Sequence, residues 1–393
     1  ILLSNIKYDT LMVEKQNGFL LLGVNVSSVN KKGELIKNIE LANRITMAPM
    51  FVGYANPDGT VNSLVLNHYK KMGCSGAALI VVENVCIDAT GLGSPFMMRI
   101  DDERYIEGLK MVADVIHSGG ALAFLQINHA GRYAYAKDRI APSPAAFGQT
   151  MPREMTTDEI HHIVDAYAKA ALRAKRAGFD GVELHGGTGY LLAQFLSPRL
   201  NKRNDSYGGS LEKRMHFPLE VIDAVKRSVE DYPVGYRLLA DELLPGGFGM
   251  DDAISFAKEL SKKDIDYISV MIGTHESYNI TPYVEIEKTE GYMALYAKTI
   301  KEAVPGIPII TAGRIQTPEC AEKILNEGSA DLIGLARVLY ADSLWPKKAR
   351  GIITEPIVPC NPNCSLCMDR ILQGKRPFCS QWSKEEKQAY RDE

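Results

Sequence analysis

The stretch RITMAPMFVGY, residues 44–54, decides the fold. It opens a series of short apolar runs that alternate with longer amphipathic stretches, the sequence signature of βα units. Working outward, the runs that follow it are AALIVV at 77–82, ALAFLQI at 121–127, DGVEL at 180–184 and VGYRLLA at 234–240. DYISVMI at 266–272, PIITA at 308–312 and DLIGLA at 331–336 complete a set of eight with RITMAP at 44–49. Most are continuously apolar rather than alternating, which suits a parallel sheet covered by helices. Eight parallel strands admit an open doubly wound sheet or a closed barrel. The open sheet calls for a GxGxxG turn after its first strand. Here the first strand runs into APMFVGY, with no such turn. The series therefore predicts an α/β fold, a (β/α)8 TIM barrel.

Helical patterns fill the gaps. YIEGLKMVADVIHSG at 105–119 and EIHHIVDAYAKAALRAKRAG at 159–178 are amphipathic and end in Gly. Thr156 or Thr157 followed by Glu159 predicts a capping box. Thr317-Pro318 marks the start of ECAEKILNEG at 319–328. Long loops at 128–156 and 273–290, and a polar stretch at 197–214, follow strand C-terminal ends, the functional face of a barrel.

A barrel needs roughly 250 residues, so 393 leaves room at both ends. Residues 1–35 read as an N-terminal extension with a strand near 18–27 and a polar turn, SSVNKKG. Residues 36–356 make the barrel, and 357–393 a short Cys-rich C-terminal segment. Hydrophobic residues make up 46%, enough for a large core, and charges nearly cancel at −3. That balance gives no electrostatic case for nucleic acid or an anionic membrane. The early apolar run FLLLGV at 19–24 is too short to span a bilayer and lacks a charged leader before it. A soluble, cytoplasmic protein is expected.

Of seven cysteines, Cys74, Cys86 and Cys320 are scattered, whereas Cys360, Cys364, Cys367 and Cys379 fall within twenty residues. An odd total argues against a secreted disulfide scaffold, and the clustering argues for a metal or iron–sulfur site. Four thiolates suit zinc as well as a cluster.

Polar residues collect at strand C-terminal ends: Gln126 and His129, His185, Thr188 and Tyr190, Arg237, His275, Gly313 and Arg314, and Arg337. Each has a bland alternative. Gln126 could cap a buried strand, Arg237 could pair with Asp241, and a lone His is more often structural. TAGRI and GLAR offer backbone donors and arginines after the last two strands, where barrels often bind phosphate.

These pieces, in order, resemble the old yellow enzyme family of NAD(P)H:flavin oxidoreductases over residues 36–350. The matching segments are NRITMAPM at 43–50, QINHAGR at 126–132, HGGTGYLLAQFLSPRLNKRNDSYGGSLEKR at 185–214, TAGRI at 311–315 and ADLIGLAR at 330–337. The resemblance implies non-covalent FMN at the barrel mouth. It sets Ala48, Pro49, Met50 and Phe51 along one flavin edge and Asn84, after the second strand, facing the ring. Gln126 is placed on the pyrimidine side and Arg237 near N1 and O2. Gly313, Arg314, Ala336 and Arg337 hold the phosphate. His185 is implied to polarise a substrate carbonyl, and Tyr190 to protonate the α-carbon while hydride reaches the β-carbon.

Three departures stand out. Thr188 takes a position where most members have His or Asn. Phe51 replaces a Thr or Cys that tunes the flavin. GTHES at 273–277 resembles the GWHE segment of the 2,4-dienoyl-CoA reductase branch, making His275 a second candidate acid. That branch includes trimethylamine dehydrogenase and bile-acid enoate reductases and carries a 4Fe-4S segment, matched here by PCNPNCSLCMDRILQGKRPFC at 359–379. The first two cysteine spacings are exchanged relative to the branch, and the eleven-residue gap to Cys379 is kept. Zinc or empty thiols remain the alternatives. The branch continues into a flavin and nucleotide module, so this chain is expected to take electrons from NADH or NADPH directly or from an external donor protein. Family members are commonly homo-oligomers. The expected function is reduction of an enone or an enoyl or dienoyl substrate. The alternatives are an FMN-dependent dehydrogenase of an amine or other small molecule and a non-catalytic flavin- or metal-binding protein.

Overall fold

The computed structural model describes residues 24–26, 39–361 and 363–391. Each apolar run becomes a parallel strand: β1 Ile45–Met47, β2 Leu79–Cys86, β3 Leu122–Asn128, β4 Gly181–Gly186, β5 Val234–Asp241, β6 Tyr267–Ile272, β7 Ile309–Thr311 and β8 Leu332–Leu335. They close into a barrel in chain order, with Ile333 of β8 paired to Ile45 of β1. The outer ring is α1 Ser63–Gly73, α2 Ile106–His117, α3 Thr157–Arg176, α4 Leu211–Val229, α5 Met250–Leu260, α6 Ala294–Ala303, α7 Pro318–Asn326 and the short α8 Arg337–Ala341. Because α4 starts at Leu211, the polar stretch expected to reach 214 ends earlier.

Local chemistry explains the helix ends. Thr156 and Glu159 form the expected capping box at the start of α3. Its buried stripe is Ile160, Ile163, Tyr167, Ala170 and Ala174, spaced to face the barrel. Gly178, at φ +84, takes the left-handed turn that ends it. Thr317 caps α7, with Pro318 at its first turn.

Alternate strand residues point inward. Leu79, Val81, Phe124, Ile310 and Leu332 pack as the barrel floor, with Leu41 beside them and the Tyr267 ring in the same apolar cluster. Leu41 belongs to a two-stranded ribbon in which Val24–Val26 runs antiparallel to Ile39–Leu41. The expected early strand is thus present at 24–26; residues 18–23 and 27–33 lie outside the described residues. The Cys-rich segment packs on the barrel. The Tyr54 hydroxyl donates to the Pro377 carbonyl at 2.7 Å, and Trp382 Nε1 donates to the Tyr340 carbonyl at 2.7 Å. Among the described residues no helix is long and apolar enough to cross a membrane.

Candidate active site

Above the floor, the inner-facing residues turn polar. Gln126, Glu183, Gly235 and Tyr267 form one layer through the strand register. Gln126 Nε2 donates to Glu183 Oε1 at 2.7 Å, and the Tyr267 hydroxyl donates to Glu183 Oε2 at 3.0 Å. A Cβ at Gly235 would stand 2.2 Å from the Tyr267 ring, so only glycine lets that phenol cross to Glu183. Burial raises the Glu183 carboxyl, opposed by the Arg237 charge and both hydrogen bonds. Glu183 was not legible in the sequence, since a single Glu in an apolar run does not show what it faces.

The next layer toward the mouth pairs His185 with Arg237 and Arg237 with Ser269. Arg237 Nη1 donates to Ser269 Oγ at 2.8 Å, so its side-chain partner is Ser269 and not Asp241. The Asp241 carboxylate instead accepts from the Leu243 amide. His185 is 4% exposed, and its Nδ1 accepts from the Gly187 amide at 3.3 Å. That bond leaves the proton of the neutral ring on Nε2. Burial and the nearby Arg237 hold His185 well below the usual histidine range, so neutral is its state near pH 7.

After β4 the chain turns sharply. Thr188 at φ +57 and Gly189 at φ +81 swing Tyr190 back over the mouth, where it heads the short helix Leu191–Leu196. Ring centroids lie 4.9 Å apart for His185 and Tyr190 and 5.3 Å for Tyr190 and His275. Burial raises the Tyr190 phenol, keeping its proton on, and pushes His275 down to about 4. Thr188 Oγ1 donates to Met271 Sδ at 3.6 Å. The four predicted catalytic residues therefore meet at one place.

Tyr133 and Tyr278 join them, with ring centroids 4.8 and 6.0 Å from His275. Neither was singled out, because aromatics in long loops carry no period. Burial pushes Tyr278 up to about 12, and Arg237 and Arg337 both act on it. His129, by contrast, serves structure: its Nδ1 accepts from the Gly131 amide at 3.0 Å and its Nε2 meets Thr90 Oγ1 at 3.0 Å.

The segment after β1 is tied down by Glu83. Its carboxylate, 1% exposed, accepts from the Val52 and Gly53 amides at 2.9 and 3.2 Å. This fixes the course of Ala48, Pro49, Met50 and Phe51. Asn84 was expected after the second strand; it lies within β2, because that strand runs on to Cys86 through a bulge between Val82 and Val85. After β7, Gly313 at φ +99 and Arg314 at φ +52 make a tight turn, and Arg314 Nη1 donates to the Lys288 carbonyl at 3.3 Å. Ala336 and Arg337 begin α8. Arg337 is half-buried and pairs with no carboxylate among the described residues.

Arg337 also lines a small cavity with Tyr340, Cys360, Cys364, Cys367 and Cys379. Burial raises the Cys360 and Cys367 thiols, and Arg337 opposes that rise. All four thiols are free, and Cys364 Sγ donates to Ser380 Oγ at 3.2 Å. Among the described residues no group of three or more His, Cys, Asp or Glu has a metal-holding arrangement.

The model of the NADH:flavin oxidoreductase / NADH oxidase family matches residues 35–355. The chain belongs to that family. It is 41% identical over 358 residues to an NADH oxidase of Thermoanaerobacter brockii, covering 88% of this chain and 54% of the relative. It is 42% identical over 352 residues to a metal reductase of Desulforamulus reducens, covering 88% of this chain and 52% of the relative. The chain thus spans about half the length of these curated relatives. Among solved structures, a complex of 2-naphthoyl-CoA reductase with 2-naphthoyl-CoA superposes with a TM-score of 0.83 at 29% identity, covering 88% of this chain and 56% of that one. Family membership accounts for the shared barrel and for the motif order from Asn43 to Arg337.

Proposed function

We propose that this chain is an FMN-dependent NAD(P)H oxidoreductase that reduces the double bond of an α,β-unsaturated carbonyl or enoyl thioester. The observation that carries this reading is the cluster of neutral His185, protonated Tyr190 and His275 at the mouth, with the Arg237 cation behind it. The likeness to a reductase solved with 2-naphthoyl-CoA supports a conjugated acyl substrate.

The residues present fit FMN. Arg337 is a half-buried cation lacking a carboxylate, which suits a phosphate, and Arg237 is a second cation beneath the mouth. Ala336, Gly313 and Arg314 stand with Arg337 at the ends of β7 and β8; Ala48, whose amide donates to the Leu335 carbonyl at the end of β8, leads into Pro49, Met50 and Phe51, which with Asn84 and Gln126 on β2 and β3 are read as the flavin-facing residues. FMN bound there and reduced by NADH or NADPH supplies the hydride. His185 holds the substrate carbonyl oxygen through its Nε2 proton and draws electron density from the double bond. Tyr190 keeps its proton on Oη until the α-carbon takes it. His275, neutral and beside Tyr190, offers a second proton at its ring, and the Thr188 hydroxyl orients the substrate. Arg237 steadies negative charge on the pyrimidine side.

The cysteine cavity is read as a 4Fe-4S site, with zinc the competing ligand. Four cysteines line that cavity beside Arg337, and the likeness of the 359–379 segment to the cluster segment of the branch supports the reading, although among the described residues their thiols do not stand in a metal-holding arrangement.

A second reading draws on the aromatic rings. Tyr133, Tyr190 and Tyr278 surround His275, an arrangement able to receive a cationic amine. Steady-state assay of the flavin-loaded protein with NADH or NADPH separates the two. Turnover with a small enone or enoyl thioester panel supports the reductase, and amine oxidation without enone turnover replaces it.

A further inference from the structure

Four successive loops at the mouth are joined by a chain of alternating charges. Arg132 follows β3, Arg199 follows β4, Glu242 follows β5 and Glu276 follows β6. Arg132 Nη2 stands 3.0 Å from Glu276 Oε1. Arg199 pairs with the other Glu276 oxygen, and its Nε lies 3.8 Å from Glu242 Oε2. Arg132 and Glu242 side chains are each 1% exposed.

We propose that this series of ion pairs is a positioning device for proton delivery, with Glu276 as its central positioning residue. Glu276 adjoins His275 and Arg132 adjoins Tyr133, and those two rings lie 4.8 Å apart against Tyr190. Fixing Glu276 between two guanidinium groups therefore fixes both ring-bearing loops together. Stability alone does not explain the arrangement. Among the described residues the buried Arg132 Nε and Nη1 find no hydrogen-bond partner, and an incompletely satisfied buried ion pair adds little to folding over an apolar replacement. Its geometry is specific, though. Gln194, fully buried, takes the Arg132 amide on Oε1 at 3.1 Å and donates from Nε2 to the Gly189 carbonyl at 2.8 Å, tying the loop after β3 to the turn after β4 that carries Tyr190.

The inference rests on the reductase reading, and the test separates the two. Flavin-loaded protein is followed in separate half-reactions with NADH and with an enone, beside hydrogen–deuterium exchange without substrate. Glu276→Gln is expected to slow the enone step roughly 10-fold or more beyond any effect on flavin reduction, because small misplacements of reacting groups are costly. Exchange should quicken together in 131–134 and 273–278. An equal effect on both half-reactions, or quicker exchange in 273–278 alone, overturns the proposal. If Glu276→Gln does not fold, Arg199→Lys tests the same link from its more exposed end, and an unchanged ratio of half-reactions overturns it. A wild-type protein that reduces no enone defeats the reductase reading; exchange in the two loops of the Glu276→Gln protein then decides by itself whether Glu276 holds them together.

Discussion

Gln126 and Glu183 face each other across β3 and β4, the amide nitrogen donating to the carboxylate at 2.7 Å. With its nitrogen engaged by Glu183, Gln126 keeps its carbonyl oxygen as an acceptor, an assignment set by the hydrogen-bond network. Glu183→Leu strips partners from both Gln126 and the Tyr267 hydroxyl. It is expected to cost about 1–3 kcal/mol for the polar groups left buried, and Glu183→Gln clearly less. Urea unfolding of the two variants measures the difference; equal stabilities would show that the layer tolerates the loss.

Glu83 gives a pH dependence. Burial raises its carboxyl from 4.5 to about 7. Below pH 4.5 both folded and unfolded chains hold the proton, so the site has no effect. As pH rises through 4.5 to about 7, the unfolded chain ionises first, and stability falls by on the order of 3 kcal/mol at ~1.36 kcal/mol per unit. Glu83→Gln keeps an oxygen for the Val52 and Gly53 amides and has no proton to lose. Thermal melts from pH 5 to 8 should show the variant gaining on wild type; parallel curves would refute the assignment.

Arg337→Ala removes the half-buried cation that lacks a carboxylate. A charge-assisted hydrogen bond is worth about 1.5–3 kcal/mol, so FMN should bind roughly 10- to 100-fold more weakly in a fluorescence titration. Unchanged affinity would put the phosphate elsewhere.

Tyr190→Phe should leave flavin reduction by NAD(P)H largely intact and slow the enone step, since general acids contribute roughly 10²–10⁴-fold. The neutral His275 beside it softens the loss. Stopped-flow traces of Tyr190→Phe combined with His275→Ala should show the full effect, and an unaltered enone step there would mean the acid is another group.

The cysteine cavity predicts about four iron and four acid-labile sulfide per chain in anaerobically purified protein. One zinc without sulfide in the same preparation would replace the cluster with a structural metal site.

What the sequence determined by itself was whatever depends on neighbours along the chain. Eight apolar runs became eight strands, Thr156 and Thr317 capped their helices, and the motif order from Asn43 to Arg337 named the family, because strand period, caps and motifs are local. Residues at strand ends, such as His185 and Arg237, were legible as mouth residues, since βα order alone puts strand C-termini on one face. Tertiary structure decided the rest. Register set Gln126 on Glu183 and Arg237 on Ser269, while the left-handed turn at Thr188 and Gly189 brought Tyr190 to His275. The bulge in β2 kept Asn84 inside the strand, and His129 became a loop brace. Arg132, Arg199, Glu242 and Glu276 are separated by as many as 144 positions and meet only through barrel closure. No local pattern encodes such a meeting: which buried charges face one another depends on strand register and loop path, and these are fixed only when the whole barrel packs.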